Sequence, residues 1–231
     1  MGEIHEAFGI ALRLILGFDR ELLGIVGLSL RVSLTATLIA FAVGVPLGVL
    51  LAMQLFAGRR AVLIVLNALL GLPSVVVGLV VYLLLSRGGP FGSLGLLFTP
   101  GAMIVAQFIL TLPIVIALVH RLTQRLWRDF GDSLIVHGAS RPIAGLALLY
   151  MARSGLVTVA LTAFGRAIAE VGAIILVGGN IRGATRTMTT AIALETSKGE
   201  LALALALGLV LLAITLAVSA TAFALGESSE R

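Results

Sequence analysis

Cysteine is absent from the 231 residues, which excludes disulfides, thiolate metal sites and lipidation through a thiol. Charge is scarce too: Asp, Glu, Lys and Arg make up 12% of the chain, about half of the ~25% usual in a soluble globular domain. The opening residues MGEIHEAFGIALRL place Glu3 and Glu6 where a secretory signal carries positive charge, so they read as part of the mature chain. His5, His120 and His137 lack metal-ligand spacing and read as surface or interfacial residues. No segment is duplicated, which argues against the internal repeat frequent in ion-coupled transporters.

What remains is apolar. Hydrophobic residues make up 59% of the chain and the mean hydropathy is +1.15, so lipid is the solvent. The expected fold class is an all-α integral membrane protein. A helix needs roughly 20 apolar residues to cross the hydrocarbon, and five runs qualify: Leu22 to Phe56, Ala61 to Ser86, Pro100 to His120, Gly155 to Gly178 and Leu201 to Leu225. The first is longer than a bilayer requires and contains Arg31, which places its N-terminal part at the interface or beyond it. The expected organisation is an N-terminal interfacial helix within 1–21, a transmembrane domain over 22–226 with a polar loop at 121–153, and a tail at 227–231 too short for a sensor domain. A disordered tail is the alternative for the first segment.

Arg59 and Arg60, and then Arg121, Arg125, Arg128, Arg141 and Arg153, fall in two of the loops and assign both to the cytoplasm. Five spans then put the N-terminus outside and the C-terminus inside. Arg182, Arg186 and Lys198 fall in an outer loop, against the rule. Pro46, Pro73 and Pro113 lie inside spans and predict kinks, which suit either a gate or a static bend.

The fourth run, GLVTVALTAFGRAIAEVGAIILVGG, repeats Gly165, Ala169 and Ala173 every four residues, a stripe along which another helix can approach closely. Beside it Arg166 and Glu170 stand four apart, within pairing distance. A charge at mid-membrane costs about 2.5–3.5 kcal/mol on insertion scales, so the pair faces protein or water, either as a packing salt bridge or in a substrate path. After it, GGNIRGATRTMTTAIALETSKGE offers Asn180, Arg182, Arg186 and Thr187 with further hydroxyls and glycines. Guanidinium forks, hydroxyls and free N–H groups suit a tetrahedral oxoanion; helix capping is the competing reading.

Between the third and fourth runs lies DSLIVHGASRP, Asp132 to Pro142, read as a short helix broken at Gly138. It resembles the coupling loop of ATP-binding-cassette (ABC) importer permeases, Glu-Ala-Ala, three residues, Gly, nine residues, Ile-x-Leu-Pro. Asp132 stands for the Glu, Gly138 for the Gly and Leu148 for the Ile; Ser133 and Leu134 replace the alanines, and Tyr150 and Met151 replace Leu-Pro. SLRVSLTATLIAFAVGVPLGVLLA looks like the first core helix of that superfamily. LNALLGLPSVVVGLVVYLLLSRGGPFGSLGLLFTP, FGRAIAEVGAIILVGGNIRGATRTMTTAIALETSKGE and LALALALGLVLL resemble the tungstate-type branch of oxoanion permeases, relatives of the molybdate and sulfate permeases.

The resemblance spans Leu22 to Leu225 and is most specific over Gly165 to Glu200. It implies a type I importer fold, a homodimeric pore in the cytoplasmic membrane of a prokaryote, two ABC ATPase subunits and an extracytoplasmic oxoanion-binding protein. The implied cargo is tungstate, with molybdate or sulfate as alternatives, moved by alternating access. The chain itself would be no enzyme and hold no cofactor, ATP and Mg residing on the partner ATPase, and no nucleic-acid partner is expected. Asp132, Gly138, Ala139, Ser140 and Arg141 would form the docking turn and helix. Gly138 would serve because a side chain blocks the turn or the partner's approach. An ion-coupled secondary transporter and a non-transporting membrane scaffold remain as alternatives of other classes.

Overall fold

A computed structural model describes the backbone of residues 2–228 and the side chains of residues 6–224; the side chain of His5 and the end of the expected tail, residues 229–231, lie outside those ranges. The described residues form α1 (Gly2–Leu16), α2 (Arg20–Met53), α3 (Arg59–Leu69), α4 (Ser74–Leu85), a 3-10 turn (Gly92–Leu94), α5 (Pro100–Val136), α6 (Arg141–Met151), α7 (Arg153–Ile168), α8 (Gly172–Gly178), α9 (Met188–Lys198) and α10 (Leu201–Ser228). Three helices, α2, α5 and α10, are long and apolar enough to cross a membrane, and up to five crossings result if the bent pairs α3–α4 and α6–α7 each count as one.

The centre is the pair α2–α5. Ser33 meets Gln107, Gly44 meets Val115, and Gly48 meets Val119. Residue numbers rise together, so the two helices run parallel, with α3 and α4 returning the chain between them. The contact is close because a Cβ at Gly44 would sit 2.8 Å from Val115 Cγ1 and one at Gly48 2.8 Å from Val119 Cβ. The Gly-x-x-x-Gly in GVPLG thus sets the α2–α5 approach, with Pro46 inside α2 between the two glycines. Neighbouring β-branched valines cannot swing aside. Gly48→Leu is expected to overpack this seam by about 1–3 kcal/mol, lowering the midpoint of thermal unfolding in detergent, whereas Gly27→Leu, with open space around its Cβ, leaves it unchanged.

Two of the five expected spans are not single helices. The Ala61–Ser86 stretch divides into α3 and α4, bent by 99°, with Pro73 as the N-cap of α4. A proline there starts a helix instead of kinking one, since its missing N–H would have been unpaired in any case. Pro113 does lie inside a helix, α5. The Gly155–Gly178 stretch ends its first helix at Ile168 and resumes at Gly172. That break divides the predicted small-residue stripe: Gly165 faces Val218 of α10, while Ala173 abuts Gly78 of α4, where a Cβ would lie 2.6 Å from the Ala173 Cα. The polar loop expected at 121–153 is mostly helix as well. The 37 residues of α5 continue past His120 to Val136, about 55 Å at 1.5 Å per residue. The true connection to α6 is His137–Ser140.

The N-terminal segment is helical, α1; its Ala7 and Ala11 are buried, and Ala11 packs with Leu22, Ile25, Ala206 and Leu207. His120 departs from the surface reading: it is buried, and Arg59 Nη2 lies 3.1 Å from its Nε2. An arginine can only donate, so that nitrogen accepts.

Candidate functional site

Three polar constellations lie along the bundle. At one end, the segment from Gly179 to Lys198 gathers the cations that violated the loop-charge rule. Arg182 donates from Nε to Glu21 at 2.7 Å and from Nη2 to the other oxygen of the same carboxylate, a fork that raises the Arg182 pKa further above its ordinary value, chiefly by hydrogen bonding and then by Coulomb attraction. Arg186 lies 3.7 Å from Glu21 and 3.3 Å from Glu195, which also meets Lys198 at 3.3 Å. Each of these three cations therefore pairs with Glu21 or Glu195 of the same chain. Glu21 and Glu195 were not singled out in the sequence, because Glu21 is 161 residues from Arg182.

The hydroxyls of this segment are likewise engaged. Thr185 Oγ1 donates to the Gly178 carbonyl at 2.5 Å and accepts from Ile181 N–H. Thr187 and Thr190 form a capping box at the start of α9, worth about 1 kcal/mol. Asn180, in the left-handed region at φ +49°, donates to the Thr190 carbonyl and accepts from its hydroxyl, and Met188 N–H donates to Ser29 of α2. Within one copy the hydroxyls and the Asn180 amide fold the loop. Two cavities of about 390 and 460 Å³ flank the cations, both lined by Glu21, Arg182 and Arg186.

At mid-bundle, Arg166 Nη1 donates to Glu170 Oε2 at 2.6 Å. The pair is lopsided: the Glu170 side chain is 4% exposed and that of Arg166 45%. Glu170 sits in the α7–α8 break. Its second oxygen accepts from the Ala173 N–H at 3.2 Å, and its carbonyl accepts from Thr189 at 2.8 Å. The carboxylate thus holds the start of α8 as well as the guanidinium, and its backbone anchors α9. Beside it, buried Gln107 donates to Ser33 and to the Ala167 carbonyl, while its Oε1 has no partner. A lone amide in the third apolar run was the available signal for this residue, and charge-based reading passed over it.

At the opposite end, α5 stops in a Schellman turn. Ala139 N–H reaches the Leu134 carbonyl at 3.0 Å and Gly138 N–H that of Ile135 at 2.9 Å. Gly138 has φ +84° and no atom within 4 Å of where its Cβ would stand, so conformation, not crowding within the chain, demands glycine. Helix lies on both sides of the glycine, α5 before it and α6 after, so the break expected at Gly138 is present. Asp132 lies on the last turns of α5, Ala139 and Ser140 form the link, and Arg141 opens α6 with Ser140 as N-cap. Asp132, Ser140 and Arg141 are exposed. On α6, Ala144, Gly145 and Leu148 are buried, while Ile143, Leu146 and Tyr150 are exposed, as are Ile135 and Val136 before the turn. An apolar face flanking a tight turn is a surface suited to a protein partner.

The sequence was compared with known proteins. It matches no protein-family profile. It is 43% identical over 185 residues to a probable anion ABC transporter permease protein of Haloferax volcanii, covering 78% of this chain and 80% of that one. Over 200 residues, 87% of this chain and 88% of the relative, it is 41% identical to the tungstate uptake system permease protein TupB of Peptoclostridium acidaminophilum. TupB of Campylobacter jejuni is 44% identical over 147 residues, 64% of this chain and 62% of that protein.

Proposed function

The chain belongs to the anion permeases of ABC transporters, multi-pass membrane proteins, and from that premise we propose that it forms the pore of an ATP-driven importer whose cargo is tungstate. The observation that carries the cargo is 41% identity to a tungstate uptake permease over 87% of the chain. In this reading the permease breaks no bonds: ATP and Mg bind to separate ATPase subunits, and an extracytoplasmic protein delivers the anion. The Gly138 turn and the exposed Ile143 and Tyr150 lie at the cytoplasmic end and seat the ATPase; the Arg182–Arg186 end faces out, in the cytoplasmic membrane of a prokaryote. The N-terminus is outside and the C-terminus inside.

The half-exposed Arg166 supports a pore built from two copies. A guanidinium facing hydrocarbon is costly, by about 2.5–3.5 kcal/mol even on insertion scales, so its open side fits water or a second copy better than lipid. Two copies of Arg166 would then place positive charge near a shared axis, where a dianion passes.

The test is uptake of labelled tungstate by cells lacking their own oxoanion importers and expressing this permease with its ATPase and binding protein. ATP-dependent uptake that a tenfold excess of sulfate leaves largely intact is the expected result. Equal competition by molybdate or sulfate would move the assignment to those cargoes, and uptake driven by an ion gradient without the ATPase would overturn it.

A further inference from the structure

The arginines at the two ends of the bundle differ in how they are neutralised. Those at the Arg182 end are paired with Glu21 and Glu195. At the Gly138 end, Arg59, Arg128 and Arg141 line one cavity of about 360 Å³ together with Gln124 and Trp127, and among the described residues no carboxylate lies within ion-pair distance of any of the three, although Asp129 and Asp132 are near in sequence. Arg59 is held in place all the same. Its Nε donates to the Leu51 carbonyl at 2.8 Å and its Nη2 to His120. Both acceptors are neutral, so the guanidinium is oriented without its charge being cancelled.

A second cavity, of about 450 Å³, shares Met53 and Arg141 with it as lining residues. This slot runs between the C-terminal half of α2 and α6, and its walls include Pro46, Val49, Leu50, Gly145 and Leu149. At its floor Gly145 packs closely on Val49 and Met53, where a Cβ would approach to 3.3–3.4 Å. An apolar slot adjoining a three-arginine pocket edged by a tryptophan has the polarity of a lipid at the membrane interface: acyl chain, then phosphate.

We propose that this groove binds an anionic phospholipid, with one acyl chain lying between α2 and α6 and the phosphate among Arg59, Arg128 and Arg141. The charge complementarity selects the occupant. A zwitterionic lipid would leave net positive charge in the pocket, and a soluble anion would leave the slot empty. Bound there, the lipid bridges α2, the start of α3, α5 and α6, bracing the short helix after the Gly138 turn against the bundle. The inference needs only that the chain spans a membrane and is independent of its cargo.

The experiment is native mass spectrometry of the full chain, purified with whatever subunits accompany it and exposed to equimolar phosphatidylglycerol and phosphatidylethanolamine. The wild type is expected to retain phosphatidylglycerol preferentially. Arg128→Gln removes one exposed cation whose side chain is in none of the ion pairs among the described residues and is expected to lower retention about fivefold, the effect of one basic residue near anionic lipid; Leu50→Trp, at an exposed position on the slot wall, is expected to lower retention of either lipid at least as much. Arg125→Gln, an exposed neighbour outside the pocket, is expected to change nothing. Equal retention of both lipids, or an equal loss with Arg125→Gln, would overturn the site. A loss with Arg128→Gln but not with Leu50→Trp, together with displacement by inorganic phosphate, would show a bare anion pocket and overturn the lipid.

Discussion

Arg166→Met should destabilise the protein more than Glu170→Gln does, although both break the same ion pair. The reason is the asymmetry of burial. Without Arg166, Glu170 at 4% exposure is left as a carboxylate with no cation, held by hydrogen bonds from the Ser74 side chain and the Ala173 N–H. Breaking a fully buried pair costs about 3–5 kcal/mol; with Arg166 nearly half exposed the cost is discounted to about 2–3 kcal/mol, or roughly 5–10 °C in the unfolding midpoint for a chain of this size. Glu170→Gln keeps an oxygen for Ala173 and leaves a guanidinium that is already partly open, so its cost is expected to be about 1 kcal/mol. The double variant, Arg166→Met with Glu170→Gln, is expected to recover most of the loss because no buried charge remains. Detergent thermal shifts measure all three. Uptake by the double variant then separates two roles: a stable protein that still transports makes the pair a packing device, and a stable protein that no longer transports puts Arg166 in the path of the anion.

Gly138 carries the second large effect, and two demands on it can be separated. The turn needs φ +84°, which a β-branched residue reaches only at about 1–2 kcal/mol, enough to depopulate the turn about tenfold. Asparagine tolerates that conformation. The space beyond the Cα is empty within the chain, so a side chain there is felt only by a partner. Gly138→Val is therefore expected to lower both the unfolding midpoint and ATPase co-purification. Gly138→Asn is expected to keep the midpoint within about 1–2 °C while reducing ATPase capture about tenfold, and Gly138→Arg to abolish capture. An asparagine variant that captures the ATPase as well as wild type would restrict the glycine to its own turn and leave the close-approach role without support.

Composition, run length and local spacing carried much of this. Lipid as solvent follows from 59% hydrophobic residues, since no soluble core could bury them. The Arg166–Glu170 contact was legible from a four-residue separation, although Glu170 lies just past the end of α7. The amphipathic α1 and the family resemblance, most specific over Gly165 to Glu200, were legible for the same reason: each depends on neighbours in sequence.

Only the tertiary structure decided the rest. Apolar runs look alike whether a helix is straight or broken, so α3 and α4 read as one span until the Pro73 N-cap turned the chain by 99°. The stripe of Gly165, Ala169 and Ala173 read as one face until Glu170 stopped α7 and gave its two ends different partners. Arg182 and Arg186 read as free cations until Glu21, from the start of α2, reached them. The physical reason is common to all three. Hydropathy and helical period report what each residue needs, whereas which residue meets that need, near in sequence or as far as 161 positions away, is set by how the helices pack.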